Sequence, residues 1–169
     1  MKSRVMTFMN QHYGNQHAAK VLYGTILLFV TLVGLDASGI STGYWAALNA
    51  FIAVLAIIVA EDYAELIGFT IKNKRALNKQ ERREIFDDTV AVATFCLVPI
   101  VILLVSETSL YSVATAFNYT FLYCVSVLFV FSYWAARLSG YQKLRSLITA
   151  TITASIGLAI IYIKSNFGK

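Results

Sequence analysis

Residues 44–72 read YWAALNAFIAVLAIIVAEDYAELIGFTIK, and this run decides the fold. From Tyr44 to Ala60 there is no charge, and Asn49 is the one amide among apolar and aromatic side chains. That length is close to the ~17–20 residues a helix needs to cross the hydrocarbon core of a bilayer. A surface helix or half-buried strand would alternate polar and apolar residues with a period of 3.6 or 2, and this run does neither. Three acids then arrive together, Glu61, Asp62 and Glu65. They do not end the helix, because Leu66, Ile67, Gly68, Phe69 and Ile71 carry its pattern on to Lys72. From Trp45 to Lys72 is ~40 Å at 1.5 Å per residue, the thickness of a bilayer with its headgroups. The three carboxylates are therefore expected in one leaflet or at its boundary rather than in bulk water.

Four other stretches have the same character: Val21–Leu35 (lengthened by Ala18 and Ala19), Thr89–Val105, Tyr111–Ala136 and Leu147–Ile163. The reading is an all-α integral membrane protein. Its five transmembrane helices cover about 18–35, 44–71, 87–105, 111–136 and 146–163 within a single membrane domain, 1–169. Residues 1–20 form an arm and about 72–86 a connecting loop. Composition agrees, with 58% apolar and only 14% charged residues in 169 and a mean hydropathy of +0.66. Soluble domains carry ~25% charge, so a typical cytosolic enzyme, a disordered chain and a disulfide-stapled module are all excluded.

The basic residues set the expected orientation. Twelve of the fourteen lie in the N-terminal arm (Lys2, Arg4, Lys20), the second connection (Lys72, Lys74, Arg75, Lys79, Arg82, Arg83) and the fourth (Arg137, Lys143, Arg145). The first and third connections have none. The positive-inside rule then places the N-terminus in the cytoplasm and the C-terminus outside, in the plasma (inner) membrane. The net charge of +5 reads as helix anchoring and attraction to anionic lipid, with no nucleic-acid partner. Both tryptophans and seven of the ten tyrosines fall near expected interfaces, as an aromatic belt requires. The first span reads as retained rather than as a signal peptide, since no small-x-small cleavage site follows Leu35.

Seven of the nine acids lie between Glu61 and Asp88. Asn78 and Glu81 have the spacing of a capping box, so a helix should begin near Lys79 and run unbroken into the third span. That would bring Asp87 and Asp88 level with Glu61, Asp62 and Glu65, with Arg82, Arg83, Arg137 and Arg145 as counterions. Ionisable groups at membrane depth are costly and commonly functional. The group is thus a candidate proton or cation site, with oxygen ligands suited to a divalent cation rather than zinc. The competing reading is a salt-bridge network that pins two helices. No other cofactor is expected.

Polar stripes mark the fourth span (Thr115, Asn118, Tyr119, Tyr123, Ser126) and the fifth (Ser146, Thr149, Thr153, Gly157). They would serve either helix packing or a hydrated pathway built by a homo-oligomer. A ridge of small residues, Ala46, Ala50, Ala53, Ala60, Ala64 and Gly68, reads as close helix packing. Pro99 should kink the third span and free the carbonyl of Phe95, for Thr94 or a water to satisfy, and it is a candidate gate. Cys96 and Cys124 read as structural. Both histidines, His12 and His17, lie in the arm, so intramembrane haem ligation and Ser–His catalysis lack a partner. The short matches Ser41–Tyr44, Gly39–Gly43 and Asn118–Thr120 are chance resemblances to filter, dimerisation and glycosylation motifs.

Three functions remain. The first is an oligomeric ion channel or cation transporter using Glu61, Asp62, Glu65, Asp87, Asp88, Asn118, Tyr119, Thr149 and Thr153. The second is a non-catalytic anchor or sensor subunit that docks a soluble cytoplasmic partner, or lipid, through Lys74, Arg75, Arg82 and Arg83. The third is a metal-dependent enzyme acting on lipid headgroups.

Overall fold

The computed structural model describes the backbone of residues 2–167 and the side chains of residues 18–163 other than Glu84, Asp88 and Ala91. The helices are α1 (Lys2–Ala37), α2 (Gly43–Asn73), α3 (Lys79–Val105), α4 (Val113–Leu138) and α5 (Lys143–Phe167), and α3 ends in a single 3-10 turn at Ser106–Thr108. No strand occurs among the described residues. Five segments are long and apolar enough to cross a membrane: Ala18–Ala37, Gly43–Asn73, Lys79–Thr108, Val113–Leu138 and Lys143–Ile163. They coincide with the expected spans, with one difference. The N-terminal arm is continuous with the first span in one 36-residue helix, since no proline interrupts the arm and its one glycine, Gly14, costs only about 1 kcal/mol.

Successive helices run antiparallel, so one end of the bundle carries Lys20, the α2–α3 connection and the α4–α5 connection. This basic end is opposite the α1–α2 and α3–α4 connections. The turns are short and chemically specified. Gly39 (φ 72°) and Gly140 (φ 85°) take the left-handed conformation that closes α1 and α4, which glycine adopts without a Cβ penalty.

α1 is the central helix, packed against all four others, while α2 sits mainly on α3 and α5 mainly on α4. Its Val21, Leu28, Phe29 and Leu32 are buried, and Phe29 meets Phe121 edge to face at 5.7 Å. Gly24 permits the close crossing of α1 and α3, where an added Cβ would lie 2.7 Å from Val92 Cγ1. Cys96 and Cys124 are free and buried in the same core. Large apolar side chains on the outer faces, among them Ile52, Val59, Leu122, Val130 and Ile152, are exposed. That is the inverse of a soluble fold and fits lipid contact.

Pro99 does not interrupt α3, which is helical from Lys79 to Val105. The carbonyl its ring deprives of a donor is satisfied from the next helix: Tyr123 Oη donates to Phe95 O at 3.1 Å. Thr94, expected to fill this role, donates instead to Val90 O at 2.8 Å. The ring of Phe95 also stacks edge-on against Phe131 at 4.8 Å, so Pro99 lies at a tied α3–α4 contact rather than a loose one. Tyr123→Phe is expected to cost about 1–2 kcal/mol, the penalty of an unsatisfied buried carbonyl. In a Pro99→Ala background the backbone N–H restored at that position takes over, and the same change should cost less than half as much. Denaturant unfolding of the four proteins measures that coupling.

Candidate functional site

The charged residues gather at the basic end, and the structure gives each acid a different setting. Glu65 on α2 pairs with Lys20 on α1, Oε2 to Nζ 2.5 Å. Asp62, on the adjacent face of α2, accepts a hydrogen bond from Thr89 Oγ1 of α3 at 2.5 Å. Two carboxylates of the E-D-Y-A-E run therefore tie α2 to its two neighbours. Residues three apart are about 60° apart around the helix and share one broad face, and that face of α2 meets α1 through Glu65 and α3 through Asp62.

Glu61 is placed differently. It lies on the wall of an open groove of about 490 Å³ between α1 and α2, with Tyr23 and Leu27 from α1 and Ala56, Ile57 and Ala60 from α2. Alanines at 56 and 60 keep the α2 side of the groove shallow, and Tyr23 is exposed at its edge. The carboxylate is half-buried. Glu61 stands ~27 Å along α2 from Gly43 and Glu65 ~33 Å.

Among the described residues, the remaining acids have other settings. Asp87 is exposed, and the side chain of Asp88 lies outside the described residues. Glu81 builds the tip of the α2–α3 hairpin. It completes the capping box with Asn78, whose Oδ1 accepts from Glu81 N at 2.9 Å while Glu81 Oε2 accepts from Asn78 N at 2.8 Å. It also takes a two-pronged hydrogen bond from Arg75, at 2.6 and 2.9 Å, and the Arg75 guanidinium lies 5.1 Å over the Phe69 ring. Lys74 ends α2 in a left-handed conformation (φ 52°). The tip is thus held rigidly, and it leaves Lys74, Arg82 and Arg83 exposed.

The expected counterions differ from the observed ones. The partner of Glu65 is Lys20, 45 positions away in sequence, rather than an arginine of the loop. No ion pair of Arg82, Arg83, Arg137 or Arg145 forms among the described residues. Nor do three His, Cys, Asp or Glu side chains converge on a point that could hold a metal ion, among the described residues.

The polar stripes are divided. On α4, Asn118, Tyr119 and Ser126 face outward, with Tyr119 edge-on to Tyr111 at 5.6 Å, whereas Tyr123 turns inward to Phe95. The buried face of α4 is Ala116, Phe117, Thr120, Phe121, Cys124 and Leu128. On α5, Thr149 and Thr153 are half-buried and donate to Arg145 O and Thr149 O at 3.0 and 3.1 Å. Buried Thr25 and Thr120 likewise satisfy their hydroxyls on their own helices. No continuous polar lumen runs through the described core.

Two residues that sequence reasoning passes over have defined roles here. Lys20, which the sequence places in the arm, neutralises Glu65. Glu107, outside the acidic stretch, accepts the Tyr44 N–H at 2.8 Å and so caps α2, whose own Thr42 makes no side-chain cap. An acid at a helix N-terminus is stabilised by the helix dipole as well.

Comparison with protein-family models, curated proteins and solved structures finds no match for this chain. The fold itself defines the class, that of a small multi-pass membrane protein of five apolar helices.

Proposed function

We propose that the protein is a cation transporter of the plasma membrane, working as a homo-oligomer with its basic end in the cytoplasm. Glu61 is the binding carboxylate. The observation that supports this reading is the groove between α1 and α2, where the Glu61 carboxylate lies among apolar and aromatic walls on a helix long and apolar enough to span a membrane. Ionisable groups on membrane-spanning helices are costly and commonly functional. Asp62 and Glu65 are helix ties in this account, and they fix the face of α2 that presents Glu61. One carboxylate does not satisfy a bare divalent cation, which takes ~6–8 oxygens. Water or a second copy supplies the rest, so the oligomer belongs to the proposal. The outward Asn118 and Tyr119 then serve subunit contact rather than a pore within one chain.

Binding is tested by thermal unfolding of the purified protein in detergent, with MgCl2, CaCl2 or MnCl2 against NaCl of equal ionic strength. At saturating ligand a stabilisation of about 3 kcal/mol, or about 6–12 °C, is expected for one of the divalent salts. Glu61→Gln should abolish the shift and Asp87→Asn should keep it. No shift for the native protein, or an equal shift for Glu61→Gln, contradicts the assignment.

A second reading is favoured by the tip of the α2–α3 hairpin, where a capping box and the Arg75–Glu81 pair hold exposed cations in fixed positions. It makes the protein a membrane anchor for a soluble acidic partner. Reversing Lys74, Arg82 and Arg83 to glutamate should release a copurifying protein, while Arg75 is left intact to preserve the tip. Copurification unchanged by the reversal counts against this reading.

A further inference from the structure

The α4–α5 hairpin has an electrostatic peculiarity. No aspartate or glutamate occurs after Glu107, so the last 62 residues have no acidic side chain of their own. It nonetheless concentrates Arg137, Lys143 and Arg145 around one turn. All three are exposed. Arg137 Nη1 donates to Tyr141 O at 2.8 Å, which folds its guanidinium back onto the start of α5. Lys143 and Arg145 stand in the first turn of a 25-residue helix that has no acid there, where the helix dipole is already positive. Like charges are thus stacked on a positive helix end, and among the described residues no carboxylate pairs with any of them.

Beside them is a slot of about 500 Å³ between α4 and α5. It is lined by Phe129 and Tyr133 on one side and by Leu144 and Leu147 on the other, with Lys143 at its mouth. Apolar walls with a cation at the rim complement a molecule that joins an apolar chain to an anionic head. Tyr141 and Trp134, both about half exposed at this level, are the kind of amphipathic rings that settle among headgroups.

We infer that this slot is a binding site for an anionic phospholipid. Its acyl chain lies along Phe129, Leu144 and Leu147, and its phosphate is held by Lys143, with Arg137 and Arg145 adding to the positive field around the turn. The site is separate from the Glu61 groove, which lies between α1 and α2, and it does not depend on the transport reading. A zwitterionic lipid fills the same slot without neutralising the cations, so the site discriminates by headgroup charge.

Trp134 is the one tryptophan at this end of the bundle, Trp45 being at the other. In a Trp45→Phe background it reports on the slot. The protein is reconstituted with brominated phosphatidylglycerol or brominated phosphatidylcholine at equal mole fraction, and quenching of Trp134 is read. The anionic lipid should associate at least about fivefold more strongly, and removing both first-turn cations in Lys143→Ala/Arg145→Ala should bring the ratio close to one. Lys143→Arg should keep it, which separates loss of charge from loss of fold. Equal quenching by the two lipids overturns the proposal, as does a ratio unchanged in the double variant. Relief of quenching by millimolar glycerol 3-phosphate assigns the cations to a soluble phosphate and overturns the lipid assignment. Persistence of quenching in its presence supports that assignment.

Discussion

Gly43→Val is expected to lower the stability of the protein by about 3 kcal/mol, which corresponds to about 6–12 °C in thermal midpoint for a chain of this size. At Gly43 the first turn of α2 presses against the end of α3. A Cβ there would lie 2.1 Å from Ser106 Oγ and 2.4 Å from the backbone oxygen of Leu103. Neither atom has room to yield. Ser106 is buried, and its hydroxyl is already held by Leu103 O at 2.6 Å. The close approach also brings Glu107 within reach of the Tyr44 N–H, so a bulkier residue removes the cap together with the packing. Gly39 provides the comparison. It needs a positive φ but has open space around it, so Gly39→Ala should cost only about 1 kcal/mol of backbone strain. If Gly43→Val unfolds at the native temperature, the α2–α3 junction is not packed as described.

The second large effect concerns Lys20 and Glu65. Lys20→Met removes the cation that Glu65 pairs with, and Glu65→Leu removes the carboxylate from the same α1–α2 contact. Each single change should cost about 1–3 kcal/mol, below the figure for a fully buried pair because the Glu65 side chain retains 35% exposure. The double variant Lys20→Met/Glu65→Leu replaces the pair by two apolar side chains that suit their surroundings, and it should recover most of the loss. Unfolding of the four proteins gives the coupling directly, with at least about 1 kcal/mol expected. Simple additivity would mean that the pair does not join α1 to α2. The exchange should also leave cation binding intact, since Glu61 rather than Glu65 carries it in the proposed mechanism.

Much of this architecture is legible in the sequence because membrane helices write their boundaries in composition. The uncharged run 44–60 and the basic connections mark spans by hydropathy alone. Asn78 and Glu81 announce the start of α3 by spacing, as local hydrogen bonds reach only three or four residues. Contacts between helices leave no such mark. Lys20 and Glu65 meet across 45 positions, Tyr123 reaches the carbonyl freed by Pro99 across 28, and Glu107 caps α2 across 63. Each depends on which faces the bundle brings together. The central place of α1 is of the same kind, since nothing in its composition distinguishes a helix with four neighbours from one with two.

The acidic run shows the same division. Its place along α2 follows from counting residues, but the sequence treats Glu61, Asp62 and Glu65 alike. Only the packing separates two ties from one groove-facing carboxylate.

The most direct test of the central claim is cation flux into proteoliposomes containing the purified protein, measured with an ion-sensitive dye under an imposed gradient. Flux above that of protein-free vesicles is expected for the native protein, with a loss of about tenfold or more in Glu61→Gln and retention in Lys20→Met/Glu65→Leu. No flux from the native protein, or flux unaltered by Glu61→Gln, would contradict that claim.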